Sequence, residues 1–151
     1  MPEDAPLTHS GTPTRSRRAY TQEEAWEGYR MAICTVLVVD DDQDILDFLD
    51  AVLTFEGYQV LTAVDGAALR LARQARPSLI LLDMQMPGMD GGEISRRLRA
   101  DPATADIPII VMSAMDRLAT TVRQLPVNDH LAKPFALRAL IDAVARWHLP
   151  G

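Results

Sequence analysis

From Thr35 onward, short apolar runs alternate with amphipathic stretches, and this alternation limits the fold more than any other feature of the chain. The runs TVLVVD (35–40), YQVLTA (58–63), SLILLD (78–83), IPIIVM (107–112) and DHLA (129–132) predict strands. The first, third and fourth are almost wholly apolar until their ends. A strand with one face in water alternates polar and apolar residues, whereas a near-continuous apolar strand belongs to a parallel sheet covered on both faces. The intervening stretches have helical spacing. Ile45, Leu49 and Val52 mark one face, with Phe48 and Leu53 beside it. Ala68, Leu71, Ala72 and Ala75 mark a second, Ile94 and Leu98 a third, and Leu118, Val122 and Leu125 a fourth. Leu137, Leu140, Ile141 and Val144 mark the last. Right-handed crossovers place such helices on both faces of one sheet. The expected fold is a doubly wound α/β domain with a five-stranded parallel sheet, occupying residues 35–148.

Residues 1–34 read as a tail. Its first part, MPEDAPLTHSGTPTRSRRA, holds little that can pack and is expected to be largely disordered. A short helix is expected at 22–31: Thr21 and Glu24 have capping-box spacing, and Trp26, Tyr29 and Ile33 share a stripe. Met31 offers an alternative natural start. The net charge of −6 argues against non-specific nucleic-acid binding, which needs basic surface. The one cysteine, Cys34, leaves no internal disulfide and no cysteine metal site. No apolar stretch approaches the length of a membrane span and no signal peptide is visible, so a cytoplasmic protein without a membrane partner is expected.

In open parallel sheets the working site lies beyond the carboxyl ends of the strands. Strand one ends in Asp40-Asp41, strand three in Asp83, strand four delivers Ser113, and strand five leads to Lys133-Pro134. Adjacent carboxylates repel unless water or a cation relieves them. A hard divalent cation bound through oxygen relieves them, and Mg²⁺ fits, because it pairs one or two carboxylates with phosphate oxygens. Lys133 is also the single lysine in a chain whose other fourteen Lys/Arg positions are arginine. A compact ammonium acts on phosphate as a point charge where a planar fork does not fit. Asp42 and Asp44 read as the start of the first helix, where negative charge suits the dipole. Asp101, Asp106 and Asp129 read as loop carboxylates. MPGMDGG (86–92) reads as a turn holding the loop after strand three away from the third helix.

The motifs VVDD, LLDMQMPGMDG, MSA and AKPF, in this order on a five-βα frame, resemble the receiver domain of two-component response regulators, of the stand-alone chemotaxis-regulator type. The resemblance implies a flavodoxin-like strand order 2-1-3-4-5 and a signalling domain rather than an enzyme. It implies that Asp83 accepts a phosphoryl group, with Ser113 and Lys133 binding its oxygens. It implies Mg²⁺ held by Asp40, Asp41, Asp83 and the carbonyl of Gln85. Asp41 would be the direct ligand and Asp40 more often one acting through water. It implies a cis bond at Lys133-Pro134. The implied partners are a sensor histidine kinase or a histidine phosphotransfer protein, and an unidentified downstream protein, with no nucleic acid. Output would be protein–protein contact or onward phosphoryl transfer, from a stand-alone receiver or one cut from a longer chain.

Three departures stand out. His130 occupies the position of the family's switch aromatic, which turns inward when the hydroxyl residue, here Ser113, moves toward phosphate; histidine is smaller and can carry charge near neutral pH. Pro126-Val127 replaces the usual corner before strand five, and the short spacing from Ser113 to Lys133 implies a short or irregular fourth helix. Two other functions have a basis in the residues. A degenerate receiver would act only as a binding scaffold. A small Mg²⁺-dependent phosphohydrolase would also use a strand-end aspartate, but it wants a second aspartate where Gln85 stands.

Overall fold

The computed structural model describes residues 34–114 and 123–148. The elements are β1 Thr35–Val39, α1 Gln43–Phe55, β2 Gln59–Ala63, α2 Ala67–Ala75, β3 Leu79–Asp83, α3 Gly91–Ala100, β4 Ile109–Ala114, β5 Asp129–Lys133 and α4 Leu137–His148. The five strands form one parallel sheet in the order β2-β1-β3-β4-β5, as expected. The tail, its expected helix at 22–31 and most of the fourth amphipathic stretch lie outside the described residues.

Strand alternation sorts the core into two layers. Val36, Val38, Leu79, Leu81, Ile110, Met112 and Leu131 face α1 and α4 and pack with Leu46, Leu49, Leu53, Leu140, Ala143 and Val144. Leu37, Val39, Ile80, Leu82, Ile109 and Val111 face α2 and α3 and pack with Ala68, Ala72, Ile94 and Leu98. Strands β1 and β3 are apolar on both faces because both faces are covered. Among the described residues no helix is long and apolar enough to cross a membrane.

Tertiary packing altered several expected boundaries and faces. β4 runs from Ile109 to Ala114 instead of 107–112. Ile107 donates its N–H to Thr104 and Pro108 has none to give, so the strand starts two residues later, at Ile109. Ser113 therefore sits inside β4, in register with Ala132, instead of following the strand. On α1, Leu46 joins Leu49 and Leu53 in the core, Ile45 and Val52 lie at its margin, and Phe48 is 49% exposed. The buried stripe is thus turned about one residue from the expected one. Ala75 and Leu137 are exposed, although helical spacing places both on buried faces. Asp42 caps α1, its carboxylate accepting the Asp44 N–H at 3.0 Å, which satisfies one of the orphan donors of the first turn.

Candidate phosphoacceptor site

The site is built from the last residues of strands. β1 is buried to Val39, and Asp40 is the first residue beyond it, 1% exposed. Its N–H donates to Ala63 at 3.2 Å, and its Oδ1 accepts the Asp42 N–H at 3.0 Å. That second bond turns the chain into α1 and leaves Asp41 exposed beside it. Asp83 ends β3, next to Met112 of β4, and is 3% exposed. Lys133 ends β5 and precedes a cis peptide bond to Pro134. Its Nζ lies 3.0 Å from Asp83 Oδ1 and 3.2 Å from Asp40 Oδ2. One ammonium therefore bridges two buried carboxylates at the ends of neighbouring strands, β1 and β3.

Asp41 completes the cluster: one carboxylate oxygen from each of Asp40, Asp41 and Asp83 lies within 4.8 Å of the others. Three carboxylates face one ammonium, so negative charge remains in excess. Hard oxygen donors with surplus negative charge are what a divalent cation such as Mg²⁺ requires, and the donor set fits that ion. Among the described residues this is the group so arranged. Ser113 is 1% exposed, and its Oγ has no hydrogen-bond partner among the described residues. An orphaned buried hydroxyl costs free energy and stands ready for an acceptor that enters the site.

The electrostatics follow from burial and charge together. Burial pushes the Asp83 carboxyl above the usual range, helped by the neighbouring Asp40 charge, while the Lys133 hydrogen bond and charge and the Gln85 amide restrain the rise. For Lys133, burial alone would lower the ammonium; the bonds and charges of Asp83 and Asp40 outweigh it and hold it above its ordinary value.

The loop after β3 departs from its expected place. MPGMDGG does not hold it away from α3. The Gly91 N–H donates to the Met84 carbonyl at 3.4 Å, and a Cβ on Gly91 would lie 2.6 Å from the Asp83 carbonyl oxygen and 2.9 Å from Met84 Cα. The helix start abuts the end of β3, which only glycine allows.

His130 lies on β5 in register with Val111, with its side chain 45% exposed and turned outward. Asp129 is not a loop carboxylate. It begins β5 and accepts from Trp147 Nε1 and Arg146 Nη1 at 2.7 Å each, tying α4 to the sheet. Asp101 follows α3 and pairs with Arg73 at 3.3 Å. Arg99, unmarked in the sequence, donates to the carbonyls of Pro126, Ala105 and Ile107 and to Asn128 Oδ1 at 2.7–2.9 Å. It staples the unusual corner before β5.

Residues 36–145 match the response regulator receiver domain family. The chain belongs to that family. It is 43% identical over 120 residues to the response regulator PleD of Caulobacter vibrioides, covering 76% of this chain and 26% of PleD. It is 45% identical over 112 residues to the transcriptional regulatory protein PrrA of Mycobacterium tuberculosis, covering 72% of this chain and 47% of PrrA. The chain thus spans less than half the length of these curated relatives. Among solved structures it resembles the receiver domain of a sensor histidine kinase from Pseudomonas aeruginosa, solved with magnesium in its active-site cleft. The TM-score is 0.71 at 32% identity, over 77% of this chain and 98% of the other. A chemotaxis protein of Vibrio cholerae gives 0.70 at 30% identity, over 76% and 98%. The receiver domain is a signalling module of two-component systems.

Proposed function

We propose that this receiver domain is a phosphorylation-driven switch that takes a phosphoryl group on Asp83 from a phosphohistidine of a sensor kinase or phosphotransfer protein. The observation that carries this is the Lys133 ammonium bridging Asp83 and Asp40, whose positions lie 50 and 93 residues away in the chain. An Asp83 oxygen attacks phosphorus, the P–N bond breaks, and its electron pair returns to the imidazole. Phosphoryl transfer depends on in-line positioning and on neutralising oxygen charge, and these residues provide both. Lys133 orients the acceptor and then binds a phosphoryl oxygen. Ser113 Oγ donates to another, which gives the orphaned hydroxyl its partner. Asp40, Asp41, Asp83 and the Gln85 carbonyl would hold Mg²⁺, which when bound supplies positive charge against the transferring oxygens.

The donor would dock over an apolar groove of about 480 Å³ beside Lys133, lined by Asp42, Ile45, Phe48, Pro134 and Phe135. Movement of Ser113 toward the phosphoryl group would free space for His130 to turn inward, changing the surface presented to a downstream protein. Such a switch would work in the cytoplasm through protein contacts.

Incubation with Mg²⁺ and acetyl phosphate tests this. Intact mass should show one acid-labile phosphoryl group, and Asp83→Asn should show none. An Asp83→Asn chain labelled at full yield would refute the acceptor assignment. A wild-type chain that never gains mass would be a scaffold rather than a switch.

A further inference from the structure

The turn between β2 and α2 carries two features that the phosphoacceptor chemistry leaves unused. Asp65 has a φ of 53°, in the left-handed region. Its Oδ1 is buried with no hydrogen-bond partner among the described residues. Both are costly: a side chain is crowded in that conformation, and a walled-off acceptor forfeits its bonds to water. Glycine would make the same turn with neither cost. The side chain therefore requires an explanation, and its surroundings supply one.

The Asp65 carboxylate packs against Gly88, whose own φ is 87°. A Cβ on Gly88 would lie 3.5 Å from Asp65 Oδ2 and 3.7 Å from Cγ and Oδ1. The neighbouring Gly66 meets the same loop, with Met89 Cε 3.7 Å from where its Cβ would stand. Gly88 and Met89 belong to the segment that joins Asp83 to α3. That segment also carries the Gln85 amide bonded to the Asp83 carboxylate. The β2–α2 turn thus presses on the loop that orients the acceptor.

We propose that Asp65 is a positioning residue of the phosphoacceptor loop: its side chain braces the Gly88 turn, and its buried Oδ1 receives a loop N–H as the site fills. This rests on Asp83 being the acceptor, and the test separates the two. Wild type, Asp65→Gly and Asp65→Asn are compared as full chains with Mg²⁺. Hydrogen exchange is followed at the amides of Gln85, Met86, Gly88 and Met89, and labelling by acetyl phosphate is timed by intact mass. Asp65→Gly should melt at or above the wild-type temperature, exchange these amides faster, and label on the order of tenfold more slowly. Asp65→Asn, which keeps the shape and one acceptor oxygen, should stay near wild type in both. A merely structural role would lower the melting temperature and leave the rate alone. Wild-type exchange and rate in Asp65→Gly would overturn the proposal, as would equal slowing in Asp65→Asn. If the wild type gains no phosphoryl group, the acceptor assignment fails, and the exchange comparison alone decides the bracing role.

Discussion

Replacing Gly91 with alanine sets helix propensity against packing, and the two predict opposite signs. Gly91 is the first residue of α3, where alanine is favoured over glycine by about 0.5–1 kcal/mol. The added Cβ, however, would stand 2.6 Å from the Asp83 carbonyl oxygen, 2.8 Å from Met84 Sδ and 2.9 Å from Met84 Cα. The sulfur can swing aside, but the two backbone atoms cannot. Comfortable contact needs about 3.5 Å, so the end of β3 and the start of α3 must separate by on the order of 0.6–0.9 Å. Overpacking of this kind costs about 1–3 kcal/mol, so after the propensity gain the net loss centres on about 1 kcal/mol and reaches at most about 2.5 kcal/mol. For a domain of this size the melting temperature should fall by about 4–10 °C. The displaced strand end carries Asp83, so labelling by acetyl phosphate should slow by about 10–100-fold even where the fold is intact. Gly92→Ala is the control, since its Cβ would meet only side-chain ends, the nearest being Asp90 Oδ1 at 3.3 Å. Thermal melts followed by circular dichroism, with intact-mass labelling below the transition, measure both effects. A Gly91→Ala chain that melts at or above wild type and labels at the wild-type rate would refute the close approach and everything drawn from it.

Two further predictions concern structure away from the site. Arg99→Ala removes four charge-assisted hydrogen bonds and leaves the part-buried carbonyls of Ala105 and Ile107 without their donor; unfolding in urea should show a loss of about 2–3 kcal/mol with an unchanged slope, and a loss under about 0.5 kcal/mol would mean that the corner does not depend on it. Asp129 concerns acid stability. Burial pushes its carboxyl up, but the Trp147 indole, the His130 amide and the charges of Arg146 and His130 pull harder and hold it below the usual range. The unfolded chain therefore takes up this proton first as pH falls, so the stabilisation is complete above roughly pH 4–5 and is lost as pH drops through the lower folded-state value. Asp129→Asn should flatten that acid limb in urea midpoints taken from pH 7 to pH 3, and curves that stay parallel to wild type would contradict the assignment.

What the sequence determined by itself was the part of the molecule that local rules control. Fully apolar strands announce a sheet covered on both faces, because water on either face would demand polar residues there. Asp40, Asp41 and Asp83 had to gather at one rim, since parallel strands end on the same side and apolar runs lead directly into Asp40-Asp41 and into Asp83. The cap at Asp42 needed only its own first turn. Tertiary structure decided what depends on contact across the chain. Leu46 replaced Ile45 in the core because the phase of α1 is set by the sheet beneath it, and several leucine stripes have equal helical spacing. Asp129 became the anchor of α4 because Arg146 and Trp147 reach back to it across the β5–α4 connection. Gly91 and Asp65 acquired meaning only from the backbone packed against them: a Cβ that would meet the Asp83 carbonyl, and a carboxylate seated on Gly88. Such contacts leave no periodic trace in a sequence, because they are fixed by the distance between loops whose positions the whole sheet must first establish.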